Sequence, residues 1–207
     1  MLQFRLVVGA ISTNCYIIAA DNGGDCAVID PGSNGHEIAN ELVSRGLTPK
    51  YILSTHGHAD HTGGVLSTKE RLGGKFALGK ADAQLAANPP DWLVVHLGTG
   101  YERPPVPDVL LDGGEVLEID GILIEVIPTP GHTRGSVCYK AGNTVFSGDT
   151  LFKGNIGRYD LPGGDRAAEL TSIEERLLTL ADVTMVFPGH GPATTIGDER
   201  KFNPFLV

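Results

Sequence analysis

Residues 55–64 read Thr55-His56-Gly57-His58-Ala59-Asp60-His61-Thr62-Gly63-Gly64, which sets three of the chain's seven histidines beside an aspartate within six positions. The stretch follows Lys50-Tyr51-Ile52-Leu53-Ser54, a short apolar run that reads as a β-strand. His56 and His58 therefore stand in extended or turning chain at a strand's C-terminal end. Residues two apart in extended chain point to the same side, so both imidazoles reach one point. Asp60 and His61 stand where the next helix begins, predicted over 61–72 and ending at Gly73-Gly74. Their side chains face a neighbouring point. One bend thus offers up to four ligands to two adjacent cations, and its imidazole nitrogens and carboxylate oxygens suit zinc, iron or manganese. A row of surface histidines is the plain alternative, but three in six positions beside an aspartate outweigh it.

The other histidines extend the pattern. His132 lies in Pro128-Thr129-Pro130-Gly131-His132-Thr133, after an apolar run over 121–127. Asp149 lies in Phe146-Ser147-Gly148-Asp149-Thr150, and His190 in Phe187-Pro188-Gly189-His190-Gly191, again where strand-like runs stop. Each of the three is a single metal-competent residue in a glycine-containing turn, where glycine lets the backbone turn sharply and keeps bulk away from a cation. His36, on a predicted helix surface, and His96, in a loop, stand outside the pattern. The candidate ligands are then His56, His58, Asp60, His61, His132, Asp149 and His190. Seven suit two metals with three ligands each and one bridging carboxylate, for which Asp149 is the natural choice. Two cations about 3.5–4 Å apart would share a water and lower its pKa towards neutrality, ready to attack an electrophilic carbonyl or phosphorus.

Outward from these turns, residues 2–8, 15–20 and 25–30 read as strands, with Asn22-Gly23-Gly24 as a hairpin turn. A helix follows, with Ile38, Ala39, Leu42 and Val43 on one face, an Asn34/Glu37 capping box and Gly46 as C-cap. A strand over 75–78 and a short helix near 80–87 come next. Residues 88–107 hold five prolines together with Trp92, His96 and Tyr101, and read as an irregular loop, either a lid over a site or a plain surface connection. The second half gives strands at 108–111, 115–119, 121–128, 135–140 and 143–148. A helix is predicted over 165–180, with Asp165 as N-cap and Leu170, Ile173, Leu177 and Leu180 on one face, then a strand over 183–187. Strands then helix, twice, predict an α/β fold: two mixed sheets packed face to face with helices outside, a four-layer αββα sandwich.

The 207 residues suit one domain spanning 1–207, and the 28 glycines fall mostly in short clusters between apolar runs. A formal net charge of −9 with no long Lys/Arg run argues against nucleic acid as a partner. The N-terminus does not read as a signal peptide, and no window approaches the roughly 18 apolar residues of a membrane span. Cys15, Cys26 and Cys138 are odd in number and lack CxxC spacing, so buried free thiols and a cytoplasmic location are expected.

The ligand pattern resembles the metallo-β-lactamase superfamily, whose His-x-His-x-Asp-His signature and distant His, Asp and His are matched by His56, His58, Asp60 and His61, then His132, Asp149 and His190. Within it, GHTRGS (131–136) and SGDTLFKGNIGRYDLPGGD (147–165) look like the glyoxalase II-like branch, the hydroxyacylglutathione hydrolases and their relatives. The closing GDERKFNPFLV (197–207) is similar to its single-domain members. The resemblance implies two divalent ions, zinc first and iron or manganese as alternatives. One would take His56, His58 and His132, the other Asp60, His61 and His190, with Asp149 bridging. It further implies hydrolysis of a small-molecule thioester such as S-D-lactoylglutathione by a bridging hydroxide; Asp60 is expected both to ligate a metal and to orient that hydroxide. Arg158 falls where the family's basic residue meets glutathione, and with Tyr159 is expected at the substrate.

Several features depart from that pattern. The C-terminal helical domain that helps hold glutathione is expected to be absent, Gly191-Pro192 replace the usual Glu-Tyr, and Asp160 stands in place of a tyrosine. Arg158 is therefore open to a second reading, a structural pair with Asp160 or Asp165. Persulfide dioxygenases, which use a single iron, share the ligands and a Gly-Arg-x-Asp segment, and lactone or ester hydrolysis fits the same site. A nuclease role is disfavoured by the acidic balance. A β-lactamase role is disfavoured because those enzymes commonly carry a cysteine in the second-metal set and are secreted.

Overall fold

The computed structural model describes residues 1–21, 23–98 and 101–206. Asn22 of the predicted turn, residues 99–100 of the predicted loop and the side chain of His96 lie outside the described residues. The first sheet takes its six strands in chain order: β1 (Leu2–Val8), β2 (Thr13–Ala19), β3 (Gly24–Ile29), β4 (Leu47–Leu53), β5 (Lys75–Gly79) and β6 (Val109–Leu111). β1, β2 and β3 run antiparallel, and β3 to β6 pair in parallel. The second sheet comprises β7 (Val116–Ile119), β8 (Ile122–Pro128), β9 (Val137–Ala141), β10 (Thr144–Gly148), β13 (Met185–Pro188) and β14 (Thr194–Thr195), in the spatial order β14-β13-β10-β9-β8-β7. Only β10 and β13 are parallel in it. A two-stranded ribbon, β11 (Leu151–Phe152) with β12 (Asn155–Ile156), stands apart.

Period-2 alternation explains the layers. Along β2, Tyr16 and Ile18 face the second sheet, where they meet Ile124, Tyr139 and Phe146. Cys15, Ile17 and Ala19 face the other way, onto Ile38 and Leu42 of helix α1 (Gly35–Ser44). The second sheet repeats this: Tyr139 and Phe146 point into the shared core, while Cys138 and Val145 pack on Ile173 and Leu177. Strands apolar on both faces must be covered on both faces. Two mixed sheets with helices outside result, as the strand and helix order predicts.

Local differences have local causes. The helix predicted over 61–72 is two pieces, α2 (Ala59–Thr62) and α3 (Val65–Leu72), broken at Gly63-Gly64. The loop after β3 presses on the break: Gly64 N–H donates to Pro31 O at 2.7 Å, and a Cβ at Gly64 would lie 2.8 Å from Ser33 O. The Asn34/Glu37 capping box does not form, because Asn34 is left-handed (φ 56°) and its Oδ1 accepts from Gly9 N–H instead. Val43 is exposed, lying more than a third of a turn from Ile38. Gly46 does end the helix, at φ 67°.

After a 3₁₀ turn over Lys80–Asp82 comes α4 (Ala83–Ala87). The stretch 88–107 is not wholly irregular, since α5 (Asp91–Leu97) starts behind Pro90 and is pinned by buried Leu93 and Leu97 against Ala59. α6 (Arg166–Ser172) is capped by Asp165, whose carboxylate accepts from Ala167 and Ala168 N–H, and widens into a π turn over Ile173–Leu177. β14 and α7 (Ile196–Phe202) follow the last predicted strand without having been read from the sequence.

All three cysteines are free and buried. Burial pushes the Cys26 and Cys138 thiols up to about 12 and Cys15 well above its usual value. Thiolate is the reactive form. A thiol-specific disulfide reagent at pH 8 is therefore expected to modify none of the three in the folded chain and all three in guanidinium. Rapid reaction of a folded-state thiol would contradict this packing. Among the described residues no helix is long and apolar enough to cross a membrane.

Candidate metal centre

The seven residues singled out by sequence converge at one edge of the two sheets. The first sheet delivers four of them. Asp30 directly follows β3, and its left-handed backbone (φ 53°) turns its carboxylate towards the end of β4. There Thr55 donates its N–H (2.7 Å) and its hydroxyl (2.9 Å) to Asp30, and His61 Nδ1 lies 3.0 Å from the same carboxylate. His56, Gly57 and His58 are fixed just beyond, with Asp60 and His61 on α2. The second sheet delivers the other three from the loops after β8, β10 and β13. Asn14 Nδ2 donates to Pro188 O and Gly191 O, both at 2.9 Å, and Tyr16 Oη donates to Pro188 O, so β2 holds the loop that carries His190. Gly189 is dictated by crowding: a Cβ there would stand 2.4 Å from Asp149 Oδ1 and 2.5 Å from His61.

Among the described residues, three groupings of candidate ligand atoms result, each within 4.8 Å: His56/His58/His132, His56/His61/Asp149 and Asp60/His61/His190. The first and third each draw on both sheets. Asp149 stands between them, with Oδ1 3.3 Å from His61 Nε2 and Oδ2 3.8 Å from the Nε2 atoms of both His132 and His190.

Hydrogen bonding fixes which nitrogens are bare. The Thr55 hydroxyl gives its only proton to Asp30, so at 3.1 Å it accepts from His56 Nδ1–H. His132 Nδ1, 2.7 Å from the main-chain carbonyl of Arg158, must also be the protonated nitrogen. Both rings therefore aim an Nε2 lone pair at His58 Nδ1, each at 3.0 Å. One proton on His58 Nδ1 satisfies only one of them. A cation satisfies all three, so the donors fit a metal ion. The second grouping agrees: His61 Nε2 and Asp149 Oδ1 are buried without a hydrogen-bond partner.

Charge follows the same division. Burial, then the neighbouring His61 and His132 rings, push His56 well below its usual value, and burial with His132 pushes His58 down to about 4. These rings stay neutral and keep their lone pairs. Burial also opposes charge on His61, yet Asp30, Asp149 and Asp60 outweigh it and hold that ring well above its usual value. Asp149 meets the same cost of burial, but His61, His132 and His190 keep its carboxyl down at about 2. The carboxylates thus ask for positive charge where His61 and His190 face them.

Over these groups lies a cavity of about 260 Å³, walled by Ile11, Trp92, Leu93, Phe152, Ile156 and Leu161. Arg158 also lines it, but its exposed guanidinium is paired with Asp160 through two 3.0 Å hydrogen bonds, while Asp165 is occupied as a helix cap. Tyr159 does not line this cavity. It packs on the cluster outside the second sheet, with the Arg166 guanidinium over its ring, and lines an adjoining cavity of about 460 Å³ with Arg158 and Phe205. His36 is exposed on α1. Sequence reasoning missed Asp30, Asp82 and Glu169. Glu169 is buried behind His132, accepts from its N–H at 2.7 Å, and is pushed by burial up to about 8. Only Asp30 had a readable signal, an acid closing a strand run ahead of Pro31-Gly32.

A model of the metallo-beta-lactamase superfamily matches residues 8–190 of this chain. The probable metallo-hydrolase YqgX of Bacillus subtilis is 40% identical over 98% of this chain and 96% of its own. The hydroxyacylglutathione hydrolase GloC of Haemophilus influenzae is 35% identical over 96% of this chain and 95% of its own. Among solved structures, the BLEG-1 B3 metallo-beta-lactamase superposes with a TM-score of 0.92 at 35% identity, covering 100% of both chains. TTHA1623 in a di-iron-bound form does so at 0.86 and 38% identity, covering 98% of this chain and 100% of that one. ETHE1 from Myxococcus xanthus gives 0.81 at 27% identity, covering 99% of this chain and 84% of its own.

Proposed function

The chain belongs to the metallo-β-lactamase superfamily, and from that premise we propose that it is a metal-dependent hydrolase of thioesters of the S-lactoylglutathione type. The carrying observation is the aim of the His56 and His132 lone pairs at His58 Nδ1, beside a second set that shares Asp149. His56, His58 and His132 would hold one divalent ion, and Asp60, His61 and His190 the other, with Asp149 common to both. Zinc is the proposed ion, since its preferred donors are those present; iron and manganese accept them too. Two such ions would acidify a water as nucleophile and polarise a carbonyl oxygen. The hydroxyacylglutathione hydrolase relative supports the thioester class. The unpaired cysteines agree with a reducing, cytoplasmic setting.

The chain's own side chains do the rest. Asp60, with Oδ2 3.2 Å from His190 Nε2, leaves its other oxygen to accept a hydrogen bond from the attacking water and orient it. Trp92, Leu93 and Phe152 keep bulk water from the acyl group. The departing thiolate is stable enough to need no general acid. Arg158 and Tyr159 are proposed to meet the thiol portion, Tyr159 from the adjoining cavity.

The deciding experiment measures metal content after purification without chelators, then turnover with that metal on S-D-lactoylglutathione, on a β-lactam, and on glutathione persulfide with oxygen uptake followed. Two ions per chain with thioester cleavage are expected. One iron per chain with sulfite formation would defeat the proposal in favour of a dioxygenase, and two bound ions without cleavage of any thioester would defeat it outright. Arg158→Ala is expected to raise KM for S-D-lactoylglutathione about fivefold, roughly the 1 kcal/mol of an exposed ionic contact, with kcat little changed. Metal content should hold, because His132 is held by the main-chain carbonyl of residue 158 and not by its side chain. A lowered ion count in Arg158→Ala would contradict this division.

A further inference from the structure

Asp82 is 1% exposed, on the turn after β5, and carries none of the ligands. It occupies the N-cap position of α4, yet its carboxylate makes no capping bond to that helix. Its oxygens reach across to two other segments. Oδ2 accepts from Gly57 N–H at 2.8 Å and from the Thr133 hydroxyl at 2.6 Å, and Oδ1 accepts from Gly135 N–H at 2.7 Å. Gly57 lies between His56 and His58, and Thr133 directly follows His132. One carboxylate thus ties together, from behind, the two loops that bring the three imidazole lone pairs to one point.

The surrounding sequence is shaped to admit it. A Cβ at Gly57 would stand 2.8 Å from Asp82 O, and a Cβ at Gly135 2.6 Å from Asp82 N and 2.7 Å from its Cγ. Both loops carry glycine where the Asp82 turn presses against them. Among the described residues nothing comparable joins Asp82 to the Asp60/His61/His190 grouping. Asp60 and His61 ride on α2, whose end is held by Gly64 N–H on Pro31 O, and the His190 loop is held by Asn14 and Tyr16.

We propose that Asp82 is a positioning residue for the His56/His58/His132 ion alone, setting the distance between its two loops without touching the ion or the substrate. The inference rests on the two-ion reading above and adds a selectivity that reading does not contain. Asp82→Asn tests it, since the amide keeps the volume but turns N–H groups towards Gly135 N–H, leaving two donors face to face.

Zinc affinity is read by competition with a chromophoric chelator on the full chain in two backgrounds. His190→Ala breaks the Asp60/His61/His190 set and spares the three-histidine set, and His58→Ala does the reverse. Adding Asp82→Asn is expected to weaken zinc about 10–100-fold in the first background, the usual effect of removing a partner that orients ligands, and by less than about twofold in the second. Equal weakening in both would make Asp82 a general fold residue and overturn the proposal, as would no weakening in the first. Should Asp82→Asn fail to fold, Thr133→Val removes the hydroxyl's bonds to Asp82 and to Ser136 while leaving both main-chain bonds to Asp82; about 3–10-fold weaker zinc in the His190→Ala background, with Ser136→Ala leaving zinc affinity unchanged, supports the proposal, and unchanged affinity in Thr133→Val overturns it. A parent chain that binds no zinc, iron or manganese overturns the two-ion reading itself, which separates that failure from this one.

Discussion

Asp149→Ala is expected to lower kcat for thioester hydrolysis about a thousandfold or more, roughly 4 kcal/mol of barrier, and to reduce the metal content below two ions per chain. The expectation follows from where the carboxylate stands. One oxygen faces His61 and the other faces His132 and His190, so its charge touches both candidate ion positions at once. Removing any one histidine subtracts a single neutral donor. Removing Asp149 subtracts the one anionic ligand that faces both candidate ion positions, and leaves the apolar wall of Phe152 and Ile156 beside them. Asp149→Asn keeps the shape and restores a single neutral acceptor, so it should recover part of the metal content and little of the rate. Full activity in Asp149→Ala with two ions retained would remove the two-ion reading. Element analysis and steady-state kinetics on one preparation suffice to see it.

Asp30→Ala is expected to cost about 3–5 kcal/mol of stability, roughly 10 °C in melting temperature for a chain of this size. Asp30 is 1% exposed and accepts from the N–H and hydroxyl of Thr55, with His61 Nδ1 at 3.0 Å. Alanine strands both Thr55 donors in the interior, removes the carboxylate that faces His61 Nδ1, and also places a Cβ in the left-handed region without a side chain to hydrogen-bond there. Asp30→Asn separates these effects, since asparagine tolerates φ of 53° and keeps one acceptor. It should lose roughly half as much. Melting with and without chelator distinguishes the lost hydrogen bonds from weakened ion binding. A chelated Asp30→Ala chain that melts within 2 °C of the chelated parent would show that the carboxylate does not hold the turn.

The layered fold and the seven clustered residues were legible because each announces itself locally. Alternation along β2 assigns Tyr16 and Ile18 to one face and Cys15 and Ile17 to the other, and His132, Asp149 and His190 each close a strand run. What stayed hidden acts at a distance. Asp30 and Asp82 each bond to residues 25 positions away, and no spacing rule links them to His56 or His132. The break at Gly63-Gly64 depends on a loop from residues 31–33 pressing from outside, which a helical pattern cannot show. Five prolines masked α5, although Leu93 and Leu97 stand at the i, i+4 spacing that anchors it. Arg158 was left between two partners. In the fold Asp160 has it, because Asp165 is already accepting at the start of α6.

Each three-ligand grouping takes members from both sheets, His58 with His132 across 74 positions and Asp60 with His190 across 130. Neither half of the chain owns a complete set. Loops of that length close late in folding, after nearer contacts have formed. The centre is therefore expected to assemble after more local contacts, and an ion seated there would tie the first half of the polypeptide to the second. Metal uptake by a nascent chain would then report long-range docking, of residue 132 for the three-histidine set and of residue 190 for the other.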